Sequence, residues 1–88
     1  MAPPAPDPLG DRVQAIVTRI AGPNRTPAVV GPATPLTDGG FWLDSIALLE
    51  VILACEIEFG IVFDSDTDLT SDSLKTIQSL AALVRGKR

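Results

Sequence analysis

Every proline of this 88-residue chain lies at or before Pro35, and the 53 residues that follow contain none. Proline lacks the backbone donor and clashes with the preceding turn of a helix interior, so uninterrupted helices belong mainly to the second part. Residues 1–8 hold four prolines and little that can pack, and read as a disordered tail. From Leu9 the apolar residues Leu9, Val13, Ile16, Val17 and Ile20 recur at helical spacing until Gly22-Pro23 ends the run. Residues 22–43 then carry four prolines and four glycines. This is a long loop for a small domain, and such loops tend to be functional or to wrap the core.

The proline-free part predicts a second helix that opens at Asp44 or Ser45 and ends at Gly60, a natural left-handed cap. Leu48, Val51, Ile52, Cys55 and Phe59 form its core stripe, while Ile46, Glu50, Leu53 and Ile57 form a second, largely apolar stripe beside it. An extended link at Ile61, Val62 and Phe63 and an acidic loop at 64–68 follow. A short helical turn is predicted near 69–74. The last helix places Ile77, Leu80, Ala81 and Val84 on one face and stops before Gly86, with Arg85, Lys87 and Arg88 at the negative end of its dipole. The fold class is all-α: a small four-helix bundle of three main helices and one short one, with a long loop between the first two, in a single domain over 9–86.

Charge limits what such a bundle can bind. Between Pro27 and Leu74 there is no Lys or Arg but nine Asp and Glu, a segment far more acidic than the net charge of -4 suggests. It repels phosphate backbones and anionic lipid headgroups, which argues against nucleic acid and membrane surfaces and for a basic protein surface as partner. A self-contained enzyme is disfavoured too, because a pocket of roughly 300 to 1,000 Å³ would hollow out so small a core. The chain has no histidine and no tyrosine, so Ser-His or Cys-His couples and His-ligated metals are impossible. The start has no basic and apolar signal-peptide pattern, and the longest apolar stretch, 46–55, is interrupted by Glu50 and falls short of the roughly 18 to 20 residues that span a bilayer. A soluble, cytoplasmic monomer without catalytic or metal-binding residues is the expectation.

Leu43-Asp44-Ser45-Ile46 is the most informative segment. Asp44-Ser45 can be a helix N-cap and nothing more. A serine at a helix start also faces solvent where the positive dipole end favours an attached phosphate, yet no base in the chain can activate it as a nucleophile. With Leu49-Glu50-Val51-Ile52, Glu56-Ile57-Glu58-Phe59-Gly60-Ile61 and Thr76-Ile77-Gln78-Ser79-Leu80, the segment resembles the acyl carrier protein family, over nearly the whole domain from Leu9 to Val84.

The resemblance implies that Ser45 carries a 4'-phosphopantetheine arm derived from coenzyme A, installed by a phosphopantetheinyl transferase. It further implies that Asp44 just before Ser45 and Ile46 just after it are recognised by that enzyme and by acyl-loading and acyl-processing enzymes with basic docking patches. Ile46, Glu50, Leu53 and Ile57 are then a docking strip, with Glu50 and Glu56 supplying charge contacts; the plainer reading is that the strip is buried against the long loop. Phe41-Trp42-Leu43 stands where many members carry small or glycine-containing residues, and either packs over the bundle or shapes partner contact. Alternatives are an aminoacyl or peptidyl carrier and an acidic helical interaction module. A short tail at the start and an end at Arg88 suggest a free-standing carrier, and two lysines against five arginines with abundant Ala, Gly and Pro lean toward specialised, polyketide-type metabolism rather than fatty acid synthesis.

Two further features read as structural. Asp64-Ser65-Asp66-Thr67-Asp68 imitates the start of a calcium loop but has Leu69 where glycine is needed and Lys75 where a bidentate Glu is needed; a solvated loop capping the short third helix fits better. Cys55 lies on the core stripe and reads as an inert buried thiol.

Overall fold

The computed structural model describes residues 8–87, and within them the chain forms three helices and no strand: α1 (Pro8–Ala21), α2 (Ser45–Phe59) and α3 (Ile77–Lys87). The tail expected at 1–8 lies outside the described residues except for Pro8, which opens α1. Proline is tolerated there because the first amide of a helix has no intrahelical partner to lose. Leu9, Val13, Ile16 and Val17 are buried on one face of α1. The helix ends at Gly22, whose φ of +76° is cheap only for glycine and whose N–H donates to the Thr18 carbonyl at 3.0 Å.

α1 packs against both α2 and α3, so its apolar face is the centre of the core. Val51, Ile52 and Cys55 of α2 and Ile77, Leu80, Ala81 and Val84 of α3 close on it. The face predicted for α3 is the one that is buried. Leu48 and Phe59, predicted for the α2 core stripe, are only partly buried against the cluster.

The connection from 22 to 44 contributes as much to the core as a helix does. Leu36, Phe41 and Leu43 are all buried. Leu36 N–H donates to the Lys75 carbonyl (3.0 Å) and Ile77 N–H to the Thr34 carbonyl (3.2 Å), around an isolated antiparallel bridge between Pro35 and Thr76. Phe41 N–H returns to the Pro35 carbonyl and Leu43 N–H to the Leu36 carbonyl, both at 3.0 Å. The segment therefore ties the start of α3 to the start of α2. This closure needs Gly40, where a Cβ would collide with the Pro35 carbonyl group.

Two expectations are corrected. The short helix predicted near 69–74 is a single turn at 71–74, closed by Leu74 N–H to the Thr70 carbonyl (3.1 Å). Serine, threonine and aspartate dominate this stretch, and their side chains compete for the backbone: Thr70 Oγ1 accepts from Ser73 N–H at 3.1 Å. Thr70 caps this turn, and the acidic loop does not. α3 does not stop before Gly86 but continues to Lys87, whose ammonium pairs with Asp68 at 2.6 Å and anchors the helix end. Its start is capped reciprocally, Ser79 N–H to Thr76 Oγ1 (3.1 Å) and Thr76 N–H to Ser79 Oγ (2.9 Å).

We expect Gly40→Ala to destabilise the protein by about 2 kcal/mol or more, because the added methyl meets backbone that cannot move without breaking the closure. Gly31→Ala, where the added atom meets nothing within 4 Å, should stay within about 0.5 kcal/mol. Urea denaturation of both variants checks the contrast.

Candidate functional site at the start of α2

Asp44 is the N-cap of α2, in extended conformation, with Oδ1 accepting the Ala47 N–H at 2.8 Å. Its carbonyl accepts the Leu48 N–H at 2.9 Å, which starts the regular helical ladder. A cap of this kind contributes roughly 0.5 to 2 kcal/mol. Leu43 before it and Leu48 within it occupy the positions of a hydrophobic staple; Leu43 belongs to the core cluster and Leu48 packs against it. The fold thus holds the first turn of α2 from both sides, and Ser45, its first residue, is exposed.

From this point an apolar surface runs along the helix. Ile46 is 70% exposed, Leu53 49% and Ile57 85%, with exposed Glu50 between them. The predicted strip is therefore on the surface and not buried against the long loop. Leu49, 53% exposed, belongs to it although it was absent from the predicted stripe; its place three residues after Ile46 and four before Leu53 is the signal that identifies it. Ala47, which adjoins the strip in sequence, is buried.

The acidic residues of α2 are not equivalent. Glu56 is half-buried and its Oε2 accepts the Phe63 N–H at 2.8 Å, so it closes the chain reversal after Gly60. Glu58 pairs with Arg12 of α1, whose guanidinium lies 4.6 Å from the centre of the Phe59 ring. Asp44 is engaged as the cap. Glu50 is exposed, and among the described residues no ion pair holds it. An open groove of about 390 Å³ lies beside the first turn, between the end of α1 and the start of α2, with Ile20 and Arg25 on one wall and Asp44, Ile46 and Glu50 on the other.

Trp42 departs from its neighbours. Phe41 and Leu43 are buried, whereas Trp42 is 62% exposed and has φ of +56°. Its N–H donates to the Thr37 carbonyl at 2.9 Å. A left-handed conformation costs a non-glycine residue roughly 1 to 2 kcal/mol, and burial of Phe41 and Leu43, at roughly 1.5 to 3 kcal/mol each, offsets it. The outer residues of the tripeptide thus pack over the bundle, while its middle residue stands at the surface.

Other predicted groups lie elsewhere. The carboxylates of the acidic loop close the loop itself: Asp64 Oδ1 accepts from Asp66 N–H (2.8 Å), and Asp68 Oδ2 from Asp64 N–H (2.7 Å). The hydrogen bond from Lys87, reinforced by that amide, holds the Asp68 carboxyl below the usual carboxylate range. Among the described residues no group of His, Cys, Asp and Glu is arranged to hold a metal ion, and no helix is long and apolar enough to cross a membrane.

Cys55 is fully buried, and burial, with the charge of Glu58 adding to it, pushes its thiol up to about 11. At neutral pH it is a protonated core side chain. A thiol reagent should therefore react with native protein far more slowly than with unfolded protein. Because the folded value lies above the ordinary 9.0, the unfolded chain loses its proton first. Stability should be intact below pH 9 and fall as pH rises toward 11, by up to about 2 to 3 kcal/mol relative to Cys55→Ala. Urea midpoints across that range for both proteins check this.

No protein-family model, curated protein or solved structure matches this chain.

Proposed function

We propose that the chain is an acyl carrier protein, with Ser45 as the site of covalent attachment of a 4'-phosphopantetheine arm. The observation that carries this reading is an exposed serine at the first position of α2, held by an aspartate cap and adjoining an exposed apolar strip in an acidic segment. A hydroxyl there is reachable by a large modifying enzyme, and the positive end of the helix dipole favours a phosphodiester on it. The residues present fit the group. When bound, the arm supplies a terminal thiol that holds acyl groups as thioesters.

In attachment, Ser45 Oγ forms a bond to the β-phosphorus of coenzyme A as the pyrophosphate linkage breaks and adenosine 3',5'-bisphosphate leaves. The serine proton passes to a base on the transferase, since this chain has no histidine to receive it. Recognition falls to Asp44, Ile46, Glu50, Leu53 and Ile57. Glu50 is the carboxylate best placed to meet a basic patch, because Glu56 and Glu58 already have partners within the fold. On this reading the turn at 71–74 stands in for the short fourth helix of the carrier bundle. Polyketide-type loading and cytoplasmic residence accord with the composition, and acyl against aminoacyl donors separate this carrier from an aminoacyl one.

Incubation with a phosphopantetheinyl transferase and coenzyme A should add one phosphopantetheine mass to the protein and none to Ser45→Ala, while the circular dichroism of the two stays the same. No mass gain on the parent protein would leave the acidic helical interaction module as the better reading of the strip.

Charge steering predicts a second result. Loading should slow as salt rises, and Glu50→Lys should lower kcat/KM by about 3- to 10-fold and flatten that salt dependence.

A further inference from the structure

We infer that Trp42 is a contact residue for the enzyme that acts at Ser45, its indole face receiving an arginine or lysine from that enzyme's surface; the inference rests on the carrier reading above. Two observations set this residue apart. The backbone at Trp42 sits at φ +56°, a conformation that glycine adopts freely and a bulky aromatic residue does not. The fold makes little use of the side chain, which is 62% exposed while both neighbours are buried. Folding alone therefore favours glycine at this position, and the tryptophan is explained by something outside the chain.

The surroundings identify what that is. Trp42 lies three residues before Ser45, with exposed Ile46 just beyond, so it flanks the ground a modifying enzyme must cover. It belongs to the segment between Pro27 and Leu74, which has nine acidic residues and no basic one. Among the described residues no cation of the chain lies over the indole, whereas Arg12 does lie over Phe59. An open indole in an acidic surface is complementary to a basic side chain, which the ring quadrupole attracts within about 6 Å of its centre and the nearby carboxylates attract from farther away. A second copy of this acidic chain is a poor occupant for the same reason.

The test pairs stability with loading, using a phosphopantetheinyl transferase and coenzyme A as the probe on the full chain. Trp42→Gly should raise the folding equilibrium constant by about 3- to 10-fold in urea denaturation followed by circular dichroism. The same variant should raise the KM of the transferase for the carrier by about fivefold or more, with little change in kcat. Trp42→Phe keeps an aromatic face and should recover part of the KM, and Trp42→Ala should not. Loss of stability in Trp42→Gly would overturn the inference by showing that the fold needs the indole. Unchanged KM in Trp42→Gly, with the parent protein loading normally, would overturn it while leaving the carrier reading intact. No loading of the parent protein would remove the carrier reading and this inference together.

Discussion

Leu36 is bound on both sides of its backbone and sealed at its side chain, and the arrangement of the helices depends on it. Its N–H goes to the Lys75 carbonyl just before α3, its carbonyl receives the Leu43 N–H just before α2, and its side chain has no exposed surface. A helix bundle usually joins its elements by short connections. Here a segment of more than twenty residues joins α1 to α2, and it holds its position because three buried apolar residues and a small set of backbone bonds replace what a helix would supply. The position of Ser45 follows from this knot, since Leu43 and Asp44 set where α2 begins.

The second constraint is that α2 is apolar on more sides than α1 can cover. α1 buries one face of it, through Ala47, Val51, Ile52 and Cys55. Ile46, Leu49, Leu53 and Ile57 stay in solvent, and exposed apolar surface of that kind usually marks an interaction site. Dense acidic charge around it keeps like molecules apart and leaves the strip open to a partner of opposite sign. Glu56 and Glu58 show how the fold distributes that charge. Both lie near the end of α2 and secure its neighbours, one a backbone amide and the other an arginine, while Glu50 has no ion pair among the described residues.

Much of this is legible in the sequence. The position of the prolines, the glycines at 22 and 60 and the spacing of apolar residues locate all three helices to within a residue or two at most ends. The Asp44-Ser45 pair is legible because an N-cap is a local device: the aspartate needs only the amide three residues ahead. The stretch near 69–74, counted as a short helix, stops at a single turn because Thr70 and Ser73 form side-chain bonds that close it. The end of α3 is misread because Gly86 is a poor helix residue, whereas the ion pair of Lys87 with Asp68, nineteen positions away, helps to hold the last turn.

The sequence alone determined the helices, the acidic character of the middle segment and the serine at the start of α2, because all of these depend on residues close together in the chain. Tertiary structure decided which side of α2 is covered, which glutamate is left open and which way Trp42 faces. Each of those depends on how the chain folds back on itself beyond a single helical turn: α1 against α2, Phe63 against Glu56, and Leu36 against Leu43 and, thirty-nine positions on, Lys75. Periodicity shows that α2 has two apolar faces, but only the packing of the chain against itself selects the one that remains in water.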